Sequence, residues 1–295
     1  MFSRASSLQR TEGFGGYGER LSNVEFNLND DYLSLEAKEC PVPSEAEFGH
    51  IALKQRSADL VEAKSLKEEH KWDEGKNEAA KIFERFLMVE ISRSLFFGDA
   101  EVIRTTRFDD YKNGVDLVLE WLDDDGNPVR LAVDLTSGAS PDVLEKKRQK
   151  IGSLGQIRYF RSENTKAASI SAPLVVLGID ANFLQEIAEF AEAHREIDKK
   201  TRQSFLPKQT FADHPLKYLL LEQAITQLEK VLPEIVSIKS PFNNERIAKI
   251  RAVLAVLKKV NREALEKLKT DPRALRAFQL LRTISETHKK LAFLG

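Results

Sequence analysis

Two apolar runs with a turn between them constrain this chain more than any other stretch. Val115 to Leu122 and Val129 to Thr136 are rich in β-branched and aliphatic residues, and Asp123-Asp124-Asp125-Gly126-Asn127-Pro128 separates them. The pattern predicts a β-hairpin, with strands that pack and a polar, glycine-containing turn. Both runs carry acids where a buried strand should exclude them: Asp116 and Glu120 in the first, Asp134 in the second. An unpaired carboxylate in an apolar setting costs several kcal/mol or takes up a proton, so a compensating group is required.

Side chains alternate between the two faces of a strand. Asp116, Val118 and Glu120 therefore share one face of the first strand, and Ala132, Asp134 and Thr136 share one face of the second. If the hairpin pairs these faces, Asp116 and Asp134 come together. Two close carboxylates hold a proton or a cation between them, and hard oxygen donors without sulfur or imidazole favour Mg²⁺ or Mn²⁺ over zinc. The acidic turn itself lacks the alternating ligands and terminal glutamate of a calcium-binding EF-hand loop.

The hairpin sits within a longer change of period. Residues 1–45 combine glycines with Ser, Asn and Asp, without periodicity, and read as a flexible N-terminal arm. Its glycines are not followed by the Lys-Ser/Thr of a phosphate loop. A polar helix is expected over Ser44 to His70, and a stronger one over Glu74 to Phe97, where Ala79, Ile82, Phe83, Phe86 and Leu87 form an apolar stripe. Strands follow at Glu101 to Phe108, Val115 to Leu122 and Val129 to Thr136. A helix is expected over Pro141 to Ser153, then strands at Gln156 to Arg161 and Pro173 to Ile179, and a helix over Asn182 to Ile197. Three long helical segments close the chain at His214 to Val231, Asn243 to Leu268 and Pro272 to Leu294, punctuated by Pro233, Pro241 and Pro272. The order predicts an α/β protein, a meandering sheet flanked by helices with an α-helical C-terminal extension. The boundaries read as the arm over 1–45, a sheet-containing domain over 46–200 and an α-helical C-terminal region over 201–295.

Composition narrows the setting. With 295 residues, 42% of them hydrophobic, the chain can bury a sizeable core. It has no apolar run long enough for a membrane span, its first twenty residues are polar, and its single cysteine, Cys40, has no disulfide partner. These features point to the cytoplasm and away from a membrane. Net charge is −1, yet residues 1–70 hold thirteen acidic and eight basic side chains, whereas residues 211–295 hold nine acidic and sixteen basic ones. The basic C-terminal third, with Lys258, Lys259, Arg262, Lys267, Lys269, Arg273 and Arg276, suits an anionic partner such as nucleic acid as readily as it suits solvated helix faces. Other chemistries have less support. Ser137 lies outside a nucleophile elbow, and neither it nor Cys40 has a base marked in the sequence.

Residues 75–180 resemble the PD-(D/E)XK nuclease superfamily, which includes restriction endonucleases and Holliday junction resolvases. The resemblance rests on the element order, on Phe83-Glu84, on Asp109-Asp110-Tyr111-Lys112-Asn113-Gly114-Val115-Asp116 and on Leu131-Ala132-Val133-Asp134-Leu135-Thr136, which are similar to a bacterial branch of that superfamily. It implies a restriction endonuclease-like αβββαβ core with a mixed central sheet. It also implies a Mg²⁺ (or Mn²⁺) ion held by Asp116, Asp134 and the carbonyl of Leu135, and hydrolysis of phosphodiester bonds in nucleic acid, DNA before RNA. A glutamate of the first helix assists in this superfamily; Glu84 carries the match, while Glu90 lies nearer the centre of the apolar stripe.

Thr136 departs from the motif. The superfamily places a lysine there, two residues after the acid, where its charge orients water and stabilises the transition state. Migration onto the next helix is known in the superfamily, and Lys146, Lys147 and Lys150 are available, Lys147 being the candidate taken here. Two functions from different classes follow. One is a Mg²⁺-dependent nuclease using Glu84, Asp116, Asp134 and Lys147; the other is a nuclease-fold protein that no longer cleaves and serves as a nucleic-acid-binding or protein-interaction module.

Overall fold

The computed structural model describes residues 48, 51–70, 78–137, 147, 149–166, 168–179, 181–197, 204–207, 210–212, 214, 216–238 and 240–270. The expected N-terminal arm, the helix over 272–294, Lys146 and most of the segment 138–148 lie outside them. Within them the chain runs α1 (Leu53–His70), α2 (Glu78–Arg93), β1 (Glu101–Arg104), a π-helical turn (Asp109–Asn113), β2 (Leu117–Leu122), β3 (Pro128–Ser137), β4 (Leu154–Phe160) and β5 (Ala168–Ile179). Then follow α3 (Ala181–Ala193), a small ribbon of β6 (Glu196–Ile197) and β7 (Ser204–Phe205), α4 (Leu216–Ser237) and α5 (Pro241–Thr270).

The expected hairpin is the centre of a five-stranded mixed sheet, ordered β1-β2-β3-β5-β4. β2 pairs antiparallel with β3, Leu117 opposite Val133 and Leu122 opposite Pro128. β5 lies parallel to β3, with Asp134 beside Val176, and β4 pairs antiparallel with β5. The class is therefore α/β, as the order of elements predicts; the parallel pairing of β3 with β5 makes the sheet mixed rather than a simple meander.

Parity divides the sheet into an oily face and a mixed one. Leu117, Leu119 and Trp121 of β2 and Leu131, Val133 and Leu135 of β3 enter one large core with α2, α3, α4 and α5. On α2 the stripe residues Ile82, Phe83, Phe86 and Leu87 are buried there, and Phe86 meets Phe211 edge to face at 4.9 Å between centroids. Each such phenylalanine contributes about 2–3 kcal/mol by leaving water. The C-terminal helices close this same core: Leu220, Leu221 and Leu228 of α4 and Ile250, Val253 and Leu257 of α5 all lie in it. The opposite face holds a smaller cluster of Val115, Val118, Ala132, Ile157, Phe160, Ala172 and Leu174. Beside it α1 docks through Ala63 onto Phe48, Phe108 and Tyr159, and Asp59 of α1 takes the Arg158 guanidinium and the Tyr159 hydroxyl at 2.6 Å.

Helix α4 also finishes the sheet. β4 pairs with β5 only as far as Pro173, so the backbone groups of β5 beyond it lack a strand. Gln227 donates to the Val176 carbonyl at 2.7 Å and accepts from the Val176 amide at 2.9 Å; Gln223 does the same at Gly178, at 2.8 and 3.1 Å. The match is geometric, since four residues of helix rise about 6 Å and two residues of strand about 6.6 Å.

Several boundaries differ from the sequence pattern. β1 ends at Arg104 rather than near Phe108, because Thr105 and Thr106 turn their hydroxyls onto neighbouring groups and the chain coils. β5 begins at Ala168, ahead of the apolar run, because pairing with β4 carries its polar start. Residues 149–153 form a turn with Gly152 at φ +70°, so no helix reaches Ser153. Pro233 lies inside α4 rather than after it; it is exposed, so its ring and missing amide disturb only the solvent side of the helix.

Candidate metal centre

The site is built where β2 begins. Thr105 donates its hydroxyl to the carbonyls of Val115 and Asp116, and Thr106 donates to Asp109 Oδ2 at 2.9 Å. These three contacts bend the chain into the π-helical turn, which Gly114 ends in the left-handed region at φ 64°, its amide donating to the Asp110 carbonyl at 2.8 Å. The turn sends its two adjacent acids in different directions. Asp109 is fully buried and accepts from Thr106, from Asn113 Nδ2 at 2.9 Å, and from the β4 amides of Arg158 and Tyr159 at 2.7 and 3.1 Å. It is an anchor between the turn and β4. Asp110, next in sequence, reaches hydrogen-bonding contact with Asp116.

Asp116 sits one residue before β2, and its side chain does the work of a missing strand residue. Its Oδ2 accepts from the Leu135 amide at 2.5 Å, while its own amide donates to the Val133 carbonyl at 2.9 Å. Asp134, on β3, accepts from the Lys147 ammonium at 2.5 Å through Oδ1. The same ammonium donates to the Leu135 carbonyl at 2.9 Å. A second lysine overhangs the site: Lys150 Nζ lies 2.7 Å, and Asp134 Oδ2 3.8 Å, from the point where a Cβ on Gly114 would stand. Glycine is favoured here by its positive φ, and the movable end of Lys150 fills the space beside it.

Electrostatics single out this cluster. Burial, followed by the charges of Asp110 and Asp134, pushes the Asp116 carboxyl well above the usual carboxylate range, against the pull of Lys147 and the Leu135 amide. Asp110 is pushed up to about 6, by burial first and then by the charge of Glu84, with Arg104 and the bond to Asp116 opposing. Burial raises Asp134 as well, although Lys147 and Lys150 both draw it down. Burial and mutual repulsion thus make these carboxyls hold protons more tightly than exposed ones do.

Glu84, Asp116, Asp134, Leu135 and Lys147 all fall in or beside this cluster; Glu84 enters it through its charge on Asp110. Glu90 goes elsewhere. It is 1% exposed and is taken up by the Ser94 hydroxyl at 2.5 Å and by Arg93 at 3.5 Å, near the end of α2. Thr136 lies opposite Gly178 in the parallel pairing, its methyl 2.7 Å from where a Gly178 Cβ would stand, so the motif position is filled by a short side chain packed on bare backbone. Sequence reasoning missed Asp110. Nothing in the sequence distinguishes it from Asp109 beside it, since both are acids in the same turn.

The donor chemistry fits a hard divalent cation. Asp116, Asp134 and the Leu135 carbonyl offer oxygen alone, with Asp110 adjacent, and burial is the first cause of the raised proton affinity of the three carboxyls. Among the described residues no three His, Cys, Asp or Glu side chains stand gathered as a ready cage, so two carboxylates and a backbone oxygen are the set that would hold it. Comparison with known proteins returns no family model, no curated protein and no solved structure that matches the chain.

Proposed function

We propose that this protein is a metal-dependent nuclease of the PD-(D/E)XK type, with a restriction endonuclease-like core, hydrolysing phosphodiester bonds of DNA or RNA. The observation that carries the reading is the Lys147 ammonium, 2.5 Å from Asp134 Oδ1 and 2.9 Å from the Leu135 carbonyl. It supplies from the following segment the charge that Thr136 lacks. The element order, with two antiparallel strands leading to β3 and a parallel neighbour in β5, is compatible with that core.

Asp116 and Asp134, with the Leu135 carbonyl, would hold Mg²⁺ or Mn²⁺. Bound there, the ion would polarise a phosphoryl oxygen, lower the pKa of a water and neutralise the leaving oxygen. The chain's own groups do the rest. The Leu135 amide fixes the rotamer of Asp116, Lys147 orients Asp134 and places a positive charge at the rim, and Asp109 holds the π-helical turn rigid against β4. Asp110 and Glu84 add the negative charge that draws a cation in.

One observation favours a second reading, a nuclease fold that binds without cutting. Lys147 rests on two of the oxygens a metal would use, and a lysine that stays there replaces the ion permanently. Cleavage assays on single-stranded, duplex and branched DNA and RNA with Mg²⁺ or Mn²⁺ decide between them. The nuclease reading expects cleavage by the wild type that Asp134→Ala abolishes; equal residual cleavage by both sinks it.

A further inference from the structure

The two lysines of the site are held differently, and the difference assigns them different work. Lys147 is committed to the protein: its side chain is 22% exposed and its ammonium is divided between Asp134 and the Leu135 carbonyl. Lys150 is exposed, and its ammonium lies over the bare backbone of Gly114 on the solvent side of the carboxylates. Its stem is set by the turn that carries it, where the Lys150 amide donates to the Lys147 carbonyl at 3.0 Å and the Ser153 hydroxyl to the Lys150 carbonyl at 2.6 Å. That turn is pinned from α5 by Arg246, whose Nε donates to the Gly152 carbonyl at 2.6 Å.

We infer that Lys150 is the substrate-holding lysine, taking a non-bridging oxygen of a nucleic-acid phosphate at the mouth of the site. This rests on the nuclease reading for its location, but it concerns phosphate binding and not the cleavage step. A lysine is a suitable phosphate ligand as a compact point charge with three donors. Its position over Gly114 places that charge beside the carboxylates without neutralising them through a direct bond. Gly114 is the notch that admits it, since any side chain there would occupy the place of the ammonium.

The test separates phosphate contact from chemistry. Binding of a fluorescein-labelled DNA duplex, and of an RNA of the same sequence, is measured by anisotropy in EDTA over a series of salt concentrations. Wild type is compared with Lys150→Ala, with Lys150→Arg, and with Lys166→Ala as a control that removes an exposed lysine between β4 and β5, at the other end of β4 from Lys150. Lys150→Ala is expected to weaken binding about tenfold and to make the log–log salt slope shallower by about 0.9, the signature of one lost phosphate contact. Lys150→Arg keeps the slope, and Lys166→Ala leaves it unchanged. Under cleavage conditions Lys150→Ala raises KM more than it lowers kcat. A Lys150→Ala slope equal to that of wild type, or a loss matched by Lys166→Ala, overturns the inference. The changed slope with no cleavage by any protein leaves Lys150 as a phosphate ligand and removes the nuclease reading; cleavage with an unchanged slope does the reverse.

Discussion

Asp116, just ahead of β2, and Glu120, within it, lie about 13 Å apart by strand rise, and their surroundings are opposite. Glu120 is 1% exposed and fully served: Arg130 and the Ser162 hydroxyl donate at 2.6 Å, Asn164 at 3.3 Å and Thr165 at 3.4 Å. Arg130 in turn bonds Thr165 and lies over the Phe160 ring at 5.1 Å. Asp116 is met by the Leu135 amide and by two more carboxylates, Asp110 in hydrogen-bonding contact and Asp134 through its charge. The lesson is that a buried acid in a strand is ambiguous until its neighbours are known. Satisfied donors make it architecture; crowding by like charge makes it a candidate for chemistry.

The contrast can be broken by experiment, and the largest effect is expected at the crowded end. Asp116→Asn keeps an acceptor for the Leu135 amide but removes a ligand charge, so metal-dependent cleavage should fall by about 10³-fold or more, measured as kcat/KM on whichever nucleic acid the wild type cuts. The paired end should respond in stability. Glu120→Ala leaves the Arg130 guanidinium half-buried without its anion and should cost about 3 kcal/mol in urea unfolding, with cleavage per folded molecule retained. Were Glu120→Ala to abolish cleavage in folded protein, the division of labour along β2 would fail.

A smaller effect must be separated from an acid-sensitive background. His214 is buried beside Phe190 and Phe211, accepts the Leu216 amide at 3.2 Å, and is pushed by burial down to about 3 from its ordinary 6.5. The folded state keeps it neutral while the unfolded chain takes up a proton. Its contribution is therefore fully present above pH 6.5 and is lost as pH falls toward 3, with a slope of about 1.4 kcal/mol per pH unit. His214→Asn, which retains an acceptor for the helix start, should flatten that slope in urea unfolding series.

The smallest effect has the opposite sign from most substitutions. In metal-free protein Asp116→Asn relieves repulsion from Asp110 and Asp134 and should raise stability by about 1 kcal/mol, read as a higher Tm. Mg²⁺ should raise the wild-type Tm and leave the variant's unmoved. A variant less stable than wild type without metal would mean that the crowding is already compensated.

The hairpin, the stripe of α2 and the positions of Asp116 and Asp134 were legible because period and polarity are local properties of the chain. The lysine substitution was half legible. On the proposed nuclease reading Thr136 leaves the charge to come from elsewhere, but the choice among Lys146, Lys147 and Lys150 depends on a turn that holds Gly152 and is met by Arg246. Asp110 was hidden by its neighbour. Two identical side chains in succession receive opposite roles because a π-helical turn, which has no distinctive sequence pattern, rotates one toward β4 and the other toward Asp116. Helices α4 and α5 were legible as helices, but not as a cover for the sheet, because their apolar faces do not specify which surface they meet.

The two glutamines of α4 have a consequence for what this sheet can recruit. An exposed strand edge is a place where a peptide or another chain can add itself by β-augmentation. By occupying both hydrogen-bonding groups of Val176 and of Gly178, Gln227 and Gln223 withdraw the unpaired half of β5 from that use. Strand addition is left to the outer edges of β1 and β4, at the two ends of the strand order. A helix that had docked by oil alone would have covered the core and left this seam open to intruding strands.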